Sequence, residues 1–111
     1  MLTIGYIYGN KNLTQEDRLF LRLAREKGAR VITFPSTRFI SPELVFKKAA
    51  ECDVVYNGSA DLVAVEIAKI AEYAGAAVLD ATSSFYYAED KLMFYIKCIK
   101  NGIPTPKTCL L

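Results

Sequence analysis

Strand-like and helix-like segments alternate four times along this chain of 111 residues, with short connections between them. Dense apolar runs predict strands at residues 2–8, 31–34, 53–56 and 76–79, because a strand buried on both faces of a sheet reads as a continuous apolar run. A helix is predicted after each strand. The alternation predicts an α/β fold of three layers, in which a mostly parallel sheet of about four strands carries helices on both faces.

Polar residues and glycines mark where the helices begin and end. Thr14, three residues before Asp17, predicts a capping box. Ser41 followed by Pro42 predicts an N-cap and the first helical position of the next helix. Helix ends are predicted at Gly28, Gly75 and Gly102.

Apolar residues at helical spacing predict which side of three helices is buried. The predicted stripes are Leu19, Phe20, Leu23 and Ala24 in the first helix, Leu62, Val63, Ile67, Ile70 and Ala74 in the third, and Leu92, Ile96 and Ile99 in the last.

Composition excludes several classes of function. The net charge of +2 comes from 14 basic and 12 acidic residues spread along the chain, which gives no electrostatic basis for binding nucleic acid or an anionic membrane. The absence of histidine removes Ser-His and Cys-His nucleophile pairs and the commonest metal ligand. Because Cys52, Cys98 and Cys109 form no CxxC pair, we expect no metal site and reduced thiols in a cytoplasmic protein.

The loops after the predicted strands are where an open α/β sheet collects ligands. They contain neither a GxGxxG fingerprint nor a P-loop, and they lack the acidic residues of a response regulator. Asn57, Gly58 and Ser59 could present backbone N–H groups and polar side chains to a small substrate. The alternative is a simple strand-to-helix turn in which Ser59 or a neighbour caps the next helix.

Lys91 is predicted in the first turn of the last helix, where the helix macrodipole disfavours a cation. A cation beside free helical N–H groups is what an anion site needs. The alternative is an exposed lysine whose charge is offset by Glu89 and Asp90.

The last quarter of the chain resembles a known family. Asp90 and Lys91 open a helix, and about ten residues later the chain reads Gly-Ile-Pro-Thr-Pro-Lys-Thr at 102–108. This segment, with the strand from Gly75 to Asp80, is similar to the N-terminal (pre-ATP-grasp) domain of ATP-grasp carboxylate–amine ligases. The closest likeness is to the branch of the ribosomal protein S6 modification enzyme and the lysine-biosynthesis ligase. It covers residues 53–111 well, and the first half only in its Rossmann-like architecture.

The resemblance implies that Lys91 contacts the phosphates of ATP. It also implies that this chain holds no catalytic residue and no metal ligand, since those of the family lie in later domains. ATP and Mg²⁺ are therefore expected for the parent ligase, and neither is expected to bind stably to this chain alone. The expected partners are the remaining ATP-grasp domains, in cis or in trans, and a carboxylate on a small molecule or carrier protein. A homo-oligomer is also possible.

The expected division of the chain is an α/β domain at 1–102 and, at 103–111, a linker with the first strand of a missing ATP-grasp domain. Leu110 and Leu111 would be an unfinished strand, which suggests a fragment or a split gene. The alternative is a free-standing, flavodoxin-like binding or interaction module without catalysis. A downstream reading frame with a glycine-rich lid and acidic magnesium ligands would distinguish the two.

Overall fold

The computed structural model describes residues 1–38, 40–84 and 90–109. Within them strands and helices alternate as predicted. The strands are β1 (Thr3–Tyr8), β2 (Arg30–Pro35), β3 (Val54–Asn57) and β4 (Ala77–Leu79). The helices are α1 (Gln15–Glu26), α2 (Pro42–Ala49), α3 (Leu62–Tyr73) and α4 (Lys91–Lys100).

The four strands form one parallel sheet in the order β2-β1-β3-β4. In the register of the sheet, Gly5 of β1 lies between Ile32 of β2 and Val55 of β3. Parallel strands place their carboxyl ends at one edge, so the loops after β1, β2 and β3 meet there. The predicted α/β sheet is confirmed.

Apolar side chains cover both faces of the sheet. On one face α2 and α3 enclose the larger core, which includes Ile7, Phe34, Val45 and Val55, all almost fully buried. On the other face α1 packs over a smaller cluster of three buried residues, Tyr6, Tyr8 and Leu21. Helices therefore lie on both sides of the sheet, which makes three layers.

Gly5 serves the packing of the sheet. A Cβ atom at this position would lie 2.9 Å from both the Phe34 ring and the Val55 side chain, closer than carbon atoms pack in a protein interior. The absence of a side chain therefore lets Phe34 and Val55 close over β1.

Local sequence signals place the helix ends correctly. Thr14 and Asp17 form the predicted capping box, and Ser41 accepts a hydrogen bond from the N–H of Leu44. Gly28, Gly75 and Gly102 follow their helices with positive φ angles of 86°, 97° and 67°, a conformation that glycine adopts without strain.

The buried faces of three helices differ from the predicted stripes. Leu19 and Leu23 of α1 are exposed, and Asp17 and Leu21 are buried instead. In α3, Leu62 and Val63 are exposed, whereas the face on the sheet carries Ala64, Val65, Ile67, Ala68 and Ala71. For α3 the prediction is right for Ile67, Ile70 and Ala74 and wrong for Leu62 and Val63. It followed the large side chains, while small alanines allow α3 to approach the sheet closely.

The predicted buried face of α4 is also wrong. Leu92, Ile96 and Ile99 are 40%, 46% and 55% exposed, and Phe94 on the same helix is 56% exposed. These four apolar side chains of α4 are therefore only partly covered by the rest of the described chain, whereas Cys98 of the same helix is buried. None of the described helices is long and apolar enough to span a membrane.

Candidate functional site

Asp61, the N-cap of α3, connects two loops by hydrogen bonds at the carboxyl edge of the sheet. One oxygen of Asp61 accepts hydrogen bonds from the hydroxyls of Ser59 at 2.5 Å and Ser36 at 2.7 Å. The other oxygen accepts a hydrogen bond from the N–H of Ala64 at 2.8 Å. Gly9 lies against the same cluster, where a Cβ atom would collide with Ser59. Asp61 thus links the loops that follow β2 and β3, and the loop after β1 packs against them at Gly9.

The predicted substrate loop, Asn57, Gly58 and Ser59, lies at this edge. The Asn57 side-chain oxygen accepts the N–H of Ser59 at 3.0 Å, and Gly58 donates its N–H to the carbonyl of Ile7 at 2.8 Å. The N–H of Ser59 therefore stabilises the turn itself, and the N–H of Gly58 holds the turn against β1. Its role in binding substrate stays a prediction.

Asp61 is the residue of this cluster that sequence analysis did not single out. An aspartate directly before an apolar helical segment is a strong N-cap signal, and Leu62 follows at once. The contact with Ser36 joins residues 25 positions apart and had no comparable signal.

The hydrogen bonds to Asp61 determine its ionisation. Burial by itself would raise the pKa of this carboxyl, but hydrogen bonds from Ser59, Ser36 and the N–H groups of Ala64 and Val63 outweigh it and lower the pKa. The group is therefore an anion at neutral pH, held by donors from the loop after β2, from its own loop and from the start of α3.

Acid should destabilise the fold partly through Asp61. In the unfolded chain the Asp61 carboxyl has a pKa of about 3.9, and in the folded protein its pKa is lower. The ionised carboxyl therefore stabilises the fold above the unfolded pKa, and this stabilisation is lost as pH falls through the folded pKa. The urea concentration at the unfolding midpoint should decrease as pH falls from about 5 to 2, and we expect this decrease to be smaller in Asp61→Asn. Glu43→Gln, which removes an exposed charge from α2, is the control. An Asp61→Asn profile as steep as that of the unmodified chain would contradict this assignment.

A cleft of about 510 Å³ opens at the carboxyl ends of β1 and β3, beside the start of α1. In its wall the Tyr6 hydroxyl donates to Asp17 at 2.5 Å, and the second oxygen of Asp17 accepts the N–H of Thr14 at 2.9 Å. Asp17 is only 6% exposed. Burial would raise its pKa, but the hydrogen bonds from Tyr6 and Thr14 outweigh burial and lower it. The cleft therefore has a buried, ionised carboxylate in its wall.

Aromatic rings form the other wall of the cleft. The Phe20 ring stacks on Tyr6 at 4.6 Å and on Tyr56 at 5.3 Å between centroids, and Tyr56 is 40% exposed. Burial, followed by the hydrogen bond to Asp17 and nearby charges including Glu16, raises the pKa of Tyr6 well above its usual range. The phenol therefore keeps its proton at neutral pH.

Lys91 is the first residue of α4, where the prediction placed it. Asp90 is the N-cap and accepts the N–H of Met93 at 3.1 Å, while the Lys91 side chain is exposed. Glu89 lies outside the described residues, as do Leu110 and Leu111. Among the described residues no group of three acidic or cysteine side chains could hold a metal ion.

The order of the sheet, its three layers and the position of α4 can be compared with solved structures. The fold is similar to that of an ATP-grasp protein. One solved structure with a similar fold is the crystal structure of a RimK domain ATP-grasp protein from Sphaerobacter thermophilus DSM 20745, with a TM-score of 0.67 and 17% sequence identity. The match covers 95% of this chain and 40% of the ATP-grasp protein, so the chain spans less than half of that neighbour. No family model and no curated protein matches the chain.

Proposed function

We propose that this chain is the N-terminal domain of an ATP-dependent carboxylate–amine ligase and that Lys91 contacts the phosphates of ATP. The observation that carries the proposal is the exposed Lys91 at the first position of α4, in a fold similar to that of an ATP-grasp protein over 95% of this chain. The branch that includes the ribosomal protein S6 modification enzyme is the more specific proposal, supported by the Asp90-Lys91 and 102–108 segments.

Position explains what Lys91 could supply. The first N–H groups of a helix have no partners within the helix and carry partial positive charge. In α4 the Asp90 carboxylate accepts the N–H of Met93, so the Lys91 ammonium and the remaining free N–H groups are the positive groups that could contact phosphate oxygens. As an exposed side chain, Lys91 can reach a ligand without disturbing the core.

The proposed reaction joins a carboxylate to an amine in two steps. A carboxylate oxygen attacks the γ-phosphorus of ATP and ADP leaves; the amine nitrogen then attacks the acyl carbon, phosphate leaves and a proton is lost. Phosphoryl transfer depends mainly on positioning and on fixed positive charge. Mg²⁺ bound to the complete ligase would neutralise phosphate charge, and its ligands would come from outside the described residues of this chain.

The proposed domain organisation rests on the backbone that follows α4. Residues 103–109 contain no helix or strand, and Pro104 and Pro106 keep this segment from continuing α4. We place the domain boundary at residue 102, with 103–111 leading to the remaining ATP-grasp domains. The apolar, exposed side of α4 would face that part of the ligase or its carboxylate-bearing partner.

The complete reading frame that contains this domain provides the test. We expect its product to release ADP from ATP and Mg²⁺ only when a suitable carboxylate and amine are both present, and the 111-residue chain alone to release none. A panel of amino acids and short acidic peptides, read by coupled ADP detection, would find the pair. A reading frame that ends after Leu111, with no ATP-grasp sequence encoded beside it, would instead favour the free-standing binding module.

A further inference from the structure

We infer that the cleft at the carboxyl ends of β1 and β3 binds an organic cation, namely a primary ammonium group carried on an apolar or aromatic body. Only one part of the inference rests on the proposed function, namely that this cation is the amine substrate of the ligase. Binding itself needs neither ATP nor the other domains, so it can be tested separately.

The charge of the cleft favours a cation. Among the described residues, those that line the cleft include two carboxylates, Glu16 and Asp17, and neither lysine nor arginine. Asp17 is buried and ionised, with each of its oxygens already accepting one hydrogen bond. Buried charge is screened much less by salt than exposed charge. The N-terminal end of α1 also lines the cleft and carries partial positive charge. Asp17 offsets that charge from within the wall, and the exposed Glu16 adds a second negative charge to the lining.

The aromatic wall favours the same ligand. The negative faces of stacked rings attract ammonium groups that lie within about 6 Å of the ring centroid. Tyr56 presents an exposed ring beside Phe20 and Tyr6, on the side of the sheet where α1 packs. The buried Tyr6 hydroxyl donates a hydrogen bond to Asp17 and so fixes the carboxylate in the wall.

The shape of the cleft suits a small molecule. Its volume of about 510 Å³ lies within the 300–1,000 Å³ range of ligand pockets. Gly58 lies so close to the Tyr6 hydroxyl that a Cβ atom there would be 3.0 Å away, so the loop closes one end. Asn10 and Gln15 add amide groups to the lining, and these can accept hydrogen bonds from an ammonium.

Three probes of similar shape and different charge test the inference on the ¹⁵N-labelled 111-residue chain: benzylammonium, benzyl alcohol and benzoate. We expect saturable amide shifts at Asn10, Gln15 and Gly58 with benzylammonium, weakened by added salt. Benzyl alcohol should bind several-fold more weakly, and benzoate should produce no saturable shift at these positions. Benzoate binding as tight as that of benzylammonium would overturn the inference.

Matched variants locate the cation. We expect Glu16→Gln and Tyr56→Leu each to weaken benzylammonium binding about three- to fivefold, the size of one exposed charge or cation–π contact. Glu26→Gln at the far end of α1 and Tyr73→Leu on α3 remove the same groups outside the lining residues and should leave binding unchanged. If both cleft variants bind benzylammonium as tightly as the two control variants, the inference would also be overturned. ADP release by the complete ligase, measured separately, tests the proposed function whatever the outcome here.

Discussion

If the proposed role of Lys91 is right, replacing it with alanine in the proposed complete ligase should lower kcat/KM for ATP by about 30- to 1,000-fold, because one fixed charge on a transferring phosphoryl group contributes about 2–4 kcal/mol to the transition state. The fold should be unaffected. Lys91 is exposed at the first position of α4, so its loss leaves no cavity and should change the free energy of unfolding by less than about 0.5 kcal/mol. Steady-state kinetics and urea denaturation measure the two effects.

The control for Lys91 lies on the same helix. Lys100→Ala removes an equal charge at the other end of α4, about 14 Å away at 1.5 Å per residue, and should retain nearly full activity. Lys91→Arg should recover part of the loss, because the charge returns with a different geometry. If Lys91→Ala and Lys100→Ala have equal activity, Lys91 is an exposed lysine without a phosphate role.

Replacing Phe34 with alanine should destabilise the 111-residue chain by about 3–5 kcal/mol. The Phe34 side chain is fully buried between the sheet and the α2–α3 layer. Its ring lies against Gly5, where a Cβ atom would be only 2.9 Å away. Since domains are commonly stable by about 5–15 kcal/mol, this is a large part of the total. Urea denaturation should show a lower midpoint with an unchanged slope.

The matched control is Phe94→Ala on α4. Phe94 is 56% exposed, so the same truncation in the isolated chain should cost less than about 1 kcal/mol. An equal loss at both positions would mean that α4 packs into the core in solution. In the complete ligase we expect Phe94→Ala to cost more than in the isolated chain, because the proposed neighbouring domains cover α4.

The elements of the fold could be predicted because each rests on neighbouring residues. Apolar runs marked the strands, and Thr14, Ser41 and Gly28 marked helix ends through contacts within a few residues. The buried stripes of α1, α3 and α4 could not be predicted as well. Periodicity shows that a helix has an apolar side, but the neighbour it meets decides how much of that side is covered.

For the candidate sites, too, some features could be predicted from the sequence and others depended on the tertiary structure. The sequence by itself determined the strand-helix alternation, the lack of histidine chemistry and the place of Lys91 at the start of a helix. Only the tertiary structure decided that Asp61 joins Ser36 and that Tyr6 contacts Asp17 and Tyr56. Those contacts depend on the strand order β2-β1-β3-β4, which sets which loops meet. Because strand order arises from long-range packing, no local pattern could reveal the cleft.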